Sequence, residues 1–545
     1  MDNANQDGGW GDTEISKSNI STTALTWAAL NFAAPDDARQ NSVTKAEQWI
    51  AHHAGSAAPQ HITEAILKKY GKDRTFSVPI LMMCALCGRM GEGREAWRNV
   101  LPLPFELTLF PRSWFAALRL PVVSYALPAL IAIGQACHHH NPTRNPIARR
   151  FREIARQPSL KLLNEIQPAS GGFLEATPLT SFVAMSLGSF LEQPHPVIDR
   201  ALGFLLQSQR PDGSWPIDTH LATWVSTLSI NGFAQGDGLT QCFQRDEGQQ
   251  MLDWLLRQQY RERHPYTDAA PGGWAWTPLS GGVPDTDDTS GGLMALLHLC
   301  EHPEDHRDAA EHAASWLFGL QNSDGGMPTF CRGWGALPFD QSCPDITAHA
   351  LRALHAWRNH FSDEVQRKLA RFTRKAIRYL DRHQQPEGCW APLWFGNEHE
   401  PNLVNWTYGT AQVLTALLET SLPQEQAQQK GLRKGAQWLL QAQQEDGSWG
   451  GGKNIQPSIE ETALATLALV RSAMASQHFD DCFREDCKQA AFRGANWIIE
   501  STGGCRRFEP SPIGFYFAEL WYYEQMYPLV YSLAAFEALC TMEDG

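Results

Sequence analysis

Three carboxylates fall within four residues in Val283-Pro284-Asp285-Thr286-Asp287-Asp288-Thr289, between the aromatic turn Gly272-Gly273-Trp274-Ala275-Trp276 and the apolar run Gly292-Leu293-Met294-Ala295-Leu296-Leu297. Like charges at that spacing repel, and withdrawing water from them drives at least one carboxyl toward its neutral form. A carboxylic acid kept protonated in a dry aromatic setting is a proton donor. The weak base suited to such a place is a carbon–carbon double bond. The same string also reads as a solvated loop, with Asp288 or Thr289 capping the helix that follows. A calcium loop does not fit, because the glycine and distal glutamate of the helix–loop–helix calcium motif are missing.

The elements that position this string belong to an internal repeat. Each unit carries an aromatic on a helix, then Gln, then an acidic-Gly turn, then usually Trp. It occurs as Phe204-Leu205-Leu206 with Gln209 and Asp212-Gly213-Ser214-Trp215, and as Trp316-Leu317 with Gln321 and Asp324-Gly325-Gly326-Met327. It returns as Tyr379-Leu380 with Gln384 and Glu387-Gly388-Cys389-Trp390, and as Trp438-Leu439-Leu440 with Gln443 and Asp446-Gly447-Ser448-Trp449. Partial copies stand at Trp497-Ile498-Ile499 and Asp7-Gly8-Gly9-Trp10. A second apolar helix follows most turns, as in 221–228, 348–354 and 462–469. Two helices per repeat and no strand pattern of any length predict an all-α barrel of hairpins. The Gln amide is expected to bond the turn backbone, and the Trp to cover the end of the neighbouring helix.

A chain of 545 residues has material for roughly two to four domains. The net charge of −14, with no long Lys/Arg block, argues against a nucleic-acid partner. The cysteines are scattered. Cys84-Ala85-Leu86-Cys87 lies in an apolar run with no second pair to complete a zinc site. No secretory signal pattern follows Met1-Asp2-Asn3, so reduced thiols in a cytoplasmic compartment are the economical reading. The best candidate for a membrane span, Leu120 to Cys137, is barely long enough and carries Pro121 and Pro128. Upstream, Leu101-Pro102-Leu103-Pro104-Phe105-Glu106-Leu107-Thr108-Leu109-Phe110-Pro111 reads either as a packed irregular connection or as a patch that dips into one leaflet. His138-His139-His140 is expected to open a basic linker through Arg149, Arg150 and Arg152, and three adjacent His do not share one helix face for a metal.

The Gln-acidic-Gly-Trp repeats, taken with Asp285-Thr286-Asp287-Asp288-Thr289, resemble the squalene–hopene cyclase family, the class II terpene cyclases, over nearly the whole chain. The resemblance implies two (α/α) barrel domains, an N-terminally short one over 1–200 and a catalytic one over 201–545, with an apolar cavity between them. It implies that Asp287 donates the proton, while Asp285 and Asp288 keep it protonated and hold its geometry. Pro344-Asp345-Ile346-Thr347-Ala348-His349 is similar to the family segment whose His bonds the acid, so His349, supported by Asp345, would orient Asp287. The i, i+4 spacing puts Asp345 and His349 on one helix face. The family's cation-stabilising aromatics map onto Tyr125, Trp276, Phe330, Trp394, Tyr516 and Tyr523. Aromatic faces attract a carbocation by roughly 0.5–2 kcal/mol per contact without trapping it.

The leading expectation is a cofactor-independent cyclase of a linear polyprene such as squalene, without a metal. It would work at a membrane surface as a peripheral, monotopic protein, and a homodimer stays open. One alternative is a class II cyclase of a shorter prenyl diphosphate, which would bring Mg²⁺. Another is a non-catalytic helical binding barrel, which has no need of Asp287 or His349.

Overall fold

The computed structural model describes residues 2–32, 37–71, 74–111, 114, 127–265, 267–330, 338–420, 426–515 and 519–544. They form two compact units: one is Met1–His220 with Pro265–Asp268 and Leu279–Gly282, the other Leu221–His264, Ala269–Pro278 and Val283–Gly545.

The first unit contains α1 (Ile20–Phe32), α2 (Asp37–Ala54), α3 (Pro59–Tyr70), α4 (Ser77–Leu86), α5 (Leu127–His140), α6 (Pro146–Ile166), α7 (Thr177–Gly188) and α8 (Pro196–Ser208). A row α1–α4–α7–α5 forms its apolar centre. Cys84 packs in that centre with its Sγ 4.0 Å from the Ala24 carbonyl, and burial pushes its thiol up to about 12. The expected basic linker is instead mostly helix. Asn145 Oδ1 accepts from the Ile147 and Ala148 amides, and Pro146 starts α6. A capped start with proline in the first turn is a strong helix signal. His138, His139 and His140 close α5, where His138 bonds Glu153 at 3.0 Å and His140 stacks on Trp97.

The second unit is a ring of hairpins. Its inner helices are α9 (Ala222–Phe233), α11 (Thr286–Leu299), α13 (Pro344–Ala356), α15 (Trp406–Glu419), α17 (Ile459–Met474) and α19 (Met526–Asp544). Each packs on the next, and α19 packs back on α9, which closes the ring. Outside them run α10 (Arg245–Gln258), α12 (Arg307–Leu320), α14 (Asp363–His383), α16 (Gln426–Ala442) and α18 (Asp481–Ser501). The sequence sets this sorting. The outer α14 buries one stripe, Val365, Leu369, Phe372, Ala376, Tyr379 and Leu380, and carries charge elsewhere, whereas the inner α17 is apolar and buried nearly all round.

Three of the four glutamines recognised in the repeat staple neighbouring hairpins. Gln321 Nε2 donates to the Gly325 and Phe372 carbonyls, Gln384 to those of Gly388 and Gly431, and Gln443 to those of Gly447 and Ala490. Gln259, not part of the recognised pattern, does the same with Gly272 and Ala309. The tryptophans pack on the neighbouring outer helix as expected, the Trp390 ring lying against Gly435 of α16 and the Trp449 ring against Gly494 of α18, and their indole N–H groups also tie them to their own repeat. Trp274, Trp390 and Trp449 donate their indole N–H to Leu255, Leu380 and Leu439, in the helix that precedes each within its own repeat. The carbonyls that end a helix lack partners, and the nearest ones belong to the helix the turn has just left. Gly388 adopts φ +108°, and a Cβ there would sit 2.4 Å from the Lys434 carbonyl oxygen, so the turn needs glycine.

A small antiparallel sheet was not foreseen. It pairs β1 (Phe395–Gly396), β2 (Ile513–Phe515) and β3 (Leu520–Tyr522), with Gly396 opposite Gly514 and Gly514 opposite Trp521. Strands of two or three residues leave no alternating pattern to read.

Candidate active site

The acidic string forms the start of α11, with Asp285 as its N-cap. Asp285 Oδ1 accepts from the Asp288 amide at 2.8 Å. The Asp285 amide donates to the Trp274 carbonyl at 3.1 Å, and the Trp274 amide returns a bond to Thr289 Oγ1 at 3.0 Å. Thr286 anchors the same turn to the Pro328 carbonyl at 2.6 Å. The cap is Asp285 rather than the expected Asp288 or Thr289, and capping by one carboxylate leaves Asp287 to another partner.

Asp285 and Asp288 are each 4% exposed. Burial pushes both carboxyls above the usual range, Asp288 most strongly, and the charges of the neighbouring aspartates add to it. Asp288 Oδ1 has no partner among the described residues. Asp287 is the member left open, with its side chain 22% exposed. Its Oδ1 lies 2.7 Å from His349 Nδ1. Gly291 fits α11 closely against α9: an added Cβ there would meet Thr227 Oγ1 at 3.2 Å.

The start of α13 repeats this frame. The Cys343 amide donates to the Met327 carbonyl at 3.0 Å, and the Met327 amide to Thr347 Oγ1 at 2.8 Å. Asp345 holds the place that Asp287 holds on α11, two residues after the cap. Its carboxyl meets the Cys343 thiol. Burial pushes it up to about 7, with the charge of Asp287 contributing.

Beside the acids stands a group of rings. Trp276 and Phe330 meet edge to face at 6.0 Å, Phe330 and Trp394 at 5.9 Å, and Phe339 lies 5.5 Å from both Phe330 and Trp394. The Trp394 indole N–H is held by Thr329 Oγ1 at 2.5 Å. The buried Trp276 indole N–H has no partner among the described residues. A second group joins Tyr408, Phe395, Tyr527 and Tyr531, with Tyr527 accepting from the Trp224 indole at 2.9 Å.

The structure thus brings together Asp285, Asp287, Asp288, Asp345 and His349, and it gathers Trp276, Phe330 and Trp394. Tyr523 is half-buried just after β3. Tyr125 and Tyr516 lie outside the described residues. Sequence reasoning missed Phe339, Cys343, Tyr408, Tyr527 and Tyr531. The fixed four-residue spacing from cap to threonine at Asp285–Thr289 and Cys343–Thr347 is the signal that aligns the repeats and would have pointed to Cys343.

The fold is a ring of helical hairpins, with a cluster of carboxyls at the start of one inner helix and a group of aromatic rings on the segments beside it. Residues 221–535 match the model of the squalene-hopene cyclase C-terminal domain, and the chain belongs to the squalene–hopene cyclase family. Relatives include the squalene–hopene cyclase of Bradyrhizobium diazoefficiens, 28% identical over 280 residues, 45% of this chain and 39% of that protein. The enfumafungin synthase of Hormonema carpetanum is 26% identical over 57% of this chain and 24% of its own length. The drimenyl diphosphate synthase of Streptomyces showdoensis is 30% identical over 35% and 32%. The matched part of the chain thus spans well under half the length of each of these relatives. Among solved structures, the type II terpene cyclase MstE from Scytonema aligns at 14% identity and a TM-score of 0.42, covering 59% of this chain and 89% of that one.

Proposed function

We propose that the protein is a class II terpene cyclase: Asp287 protonates a terminal alkene of a linear isoprenoid and starts a cationic cyclisation. The observation that carries this reading is the contact between Asp287 and His349, made by the one aspartate of three that stays partly exposed. An N–H from His349 to one carboxyl oxygen stabilises the charge left after proton transfer and leaves the other oxygen to face the substrate. Asp285 and Asp288, both held toward their neutral forms, keep the cluster from carrying three negative charges at once. Trp276, Phe330, Phe339 and Trp394 would line the path of the cation, attracting it without forming a bond to it.

The first substrate reading is a long polyprene such as squalene, supported by the run of rings leading from Trp276 to Trp394. A shorter prenyl diphosphate is the second reading, favoured by the drimenyl diphosphate synthase among the relatives; on that reading Mg²⁺ would assist. No helix of the described residues is long and apolar enough to cross a membrane. A water-insoluble substrate would be met at a bilayer surface. The exposed Leu101, Leu109, Phe110 and Trp114, beside the exposed Ile147, Phe151 and Ile154 of α6, form the face we assign to it. The connection and α6 are tied by the Arg152–Glu106 ion pair.

The test is incubation of the purified protein with squalene, farnesyl diphosphate and geranylgeranyl diphosphate, with mass spectrometry of the extracts. A cyclised isomer from one substrate, lost in Asp287→Asn with the fold intact, is the expected result. Cyclisation by the Asn variant at the wild-type rate would remove Asp287 from the mechanism.

A further inference from the structure

The first turn of α17 repeats the frame of α11. The Ser458 amide donates to the Trp449 carbonyl at 3.1 Å, the Trp449 amide to Thr462 Oγ1 at 3.0 Å, and the Glu461 amide to the cap Ser458 Oγ at 3.1 Å. The matching bonds on α11 are Asp285 to Trp274, Trp274 to Thr289, and Asp288 to Asp285. Glu460 and Glu461 therefore stand on α17 where Asp287 and Asp288 stand on α11.

The α17 pair is sealed, and each carboxyl holds a strand. Glu460 is 2% exposed, and its two oxygens accept from the Ser511 amide and hydroxyl, each at 2.9 Å, just before β2 begins. Glu461 is 3% exposed, and its Oε1 accepts from the Asn397 side chain at 3.0 Å and the Asn405 side chain at 2.8 Å. Asn397 directly follows β1 and closes the loop after it, its amide donating to the Leu403 carbonyl at 3.0 Å. Asn405 caps α15, its Oδ1 accepting from the Tyr408 amide at 3.0 Å. One helical turn thus pins the exit of β1, the start of α15 and the entry of β2. Those two strands pair Phe395 with Phe515 and Gly396 with Gly514. A ladder that short is not stable by itself, so its place depends on what fixes its ends.

The held strand brings a ring to each aromatic group. Trp394, the residue before β1, meets Phe330 at 5.9 Å, and its indole N–H is held by Thr329 Oγ1. The Thr329 carbonyl accepts from the Thr286 amide at 2.9 Å, in the turn that carries Asp287. Phe395, which opens β1, lies 4.5 Å from Tyr408 and 6.2 Å from Tyr527. Covalent bonds along β1, with hydrogen bonds at either end, therefore join Glu461 to the turn of Asp287.

We propose that Glu460 and Glu461 are specificity-determining positioning residues: by holding β1 and β2 they fix Trp394 and Phe395 as walls for the cation, and so set how far cyclisation runs. On the cyclase reading, from which this follows, a cation that loses an aromatic contact gives up its proton earlier. The pair acts through these rings and not on the substrate. Its role needs acceptor oxygens and no charge. The Ser511, Asn397 and Asn405 donors are neutral, and burial works against ionisation of both carboxyls.

Glu461→Met keeps the length of the side chain and removes the acceptor, which leaves two buried amide groups unbonded. Given an isoprenoid that the wild type cyclises, this variant should consume it within about threefold of the wild-type rate, while the share of partly cyclised and early-deprotonated products rises on the order of 2–10-fold by mass spectrometry. Glu461→Gln should keep the wild-type pattern. Its oxygen serves Asn397 and Asn405, and its nitrogen takes the place of Oε2, which has no partner among the described residues to lose. Ser511→Ala, a milder change on the other strand, should shift the products the same way by less, and it carries the comparison should Glu461→Met fail to fold. Hydrogen exchange gives a readout apart from turnover: peptides covering 395–404 and 511–515 should exchange faster in Glu461→Met and at the wild-type rate in Glu461→Gln. An unchanged product pattern in the folded variants, the same shift in Gln as in Met, or a product shift with unchanged exchange overturns the proposal while the wild type still cyclises. A wild type that cyclises none of squalene, farnesyl diphosphate and geranylgeranyl diphosphate overturns the cyclase reading, and this inference with it.

Discussion

Replacing Asp345 with Asn should change the way stability depends on pH. Asp345 is 4% exposed, and burial first, then the charge of Asp287, raise its carboxyl from 3.8 to about 7. In the unfolded chain the same group releases its proton near its ordinary value. Between those two values the native state binds more protons than the unfolded state, so stability falls as pH rises. The contribution is fully present below the unfolded value and lost as pH climbs through the folded one. At about 1.36 kcal/mol per unit, the wild type should lose roughly 3 kcal/mol from this residue between pH 5 and pH 8. Asn keeps the shape and an oxygen for the Cys343 thiol but carries no charge, so the variant should not show that loss. The assay is urea unfolding followed by tryptophan fluorescence at both pH values, on wild type and Asp345→Asn. The variant should gain on the wild type by roughly 3 kcal/mol on going to the higher pH. A stability difference that stays the same at the two pH values would refute the reasoning, because a group charged at both would show no such change.

Three further outcomes follow from the same site. His349→Ala should lower kcat on the order of 10²–10⁴-fold, less than Asp287→Asn, because it removes one partner of the acid and not the proton itself; an equal loss would refute a role confined to positioning the acid. Trp394→Ala should release partly cyclised or early-deprotonated products while substrate is still consumed, since a cation without that ring contact loses about a kcal/mol of attraction; an unchanged product pattern by mass spectrometry would place Trp394 away from the cation. Lys at both Leu109 and Phe110, which are 37% and 46% exposed, should move the protein out of the pellet in liposome sedimentation without unfolding it, and a wild type that never pellets would leave that face without a membrane role.

The repeat was legible because its parts are backbone-driven. A Gln that must reach a glycine turn and a helix that must bury one stripe leave fixed spacings, and those spacings describe a ring of hairpins. The acid cluster drew notice for a different reason: three aspartates within four residues beside Trp274 and Trp276 repel one another and are costly to bury. The contacts that cross between repeats were not legible. The Leu393 amide reaching the Cys343 thiol and Phe339 joining Trp394 in the ring group depend on which side chains face each other between repeats. A single sequence fixes the phase of a helix, not the identity of its neighbour. The start of α6 was read as linker because Arg149, Arg150 and Arg152 outweighed the cap at Asn145 and Pro146.

The position of each acid on its helix decides what it can do, because two opposing effects meet there. The first turn of a helix favours negative charge by about 0.3–1 kcal/mol, reaching ~2 kcal/mol in partly buried settings. Withdrawing a carboxylate from water costs several kcal/mol after the protein has relaxed around it. At Asp288 both act, and its carboxyl still rises well above its ordinary value, so burial wins. Asp287 sits on the same turn with its side chain 22% exposed and a histidine nitrogen at 2.7 Å. The dipole and the imidazole can both meet the charge it would carry after giving up a proton. Asp345 and Glu460 occupy the same place on their own helices, but both are buried, Asp345 against the Cys343 thiol and Glu460 under Ser511. Of the three equivalent positions, the one on α11 combines access with a partner for the resulting charge, which is why the proton transfer to substrate is proposed there.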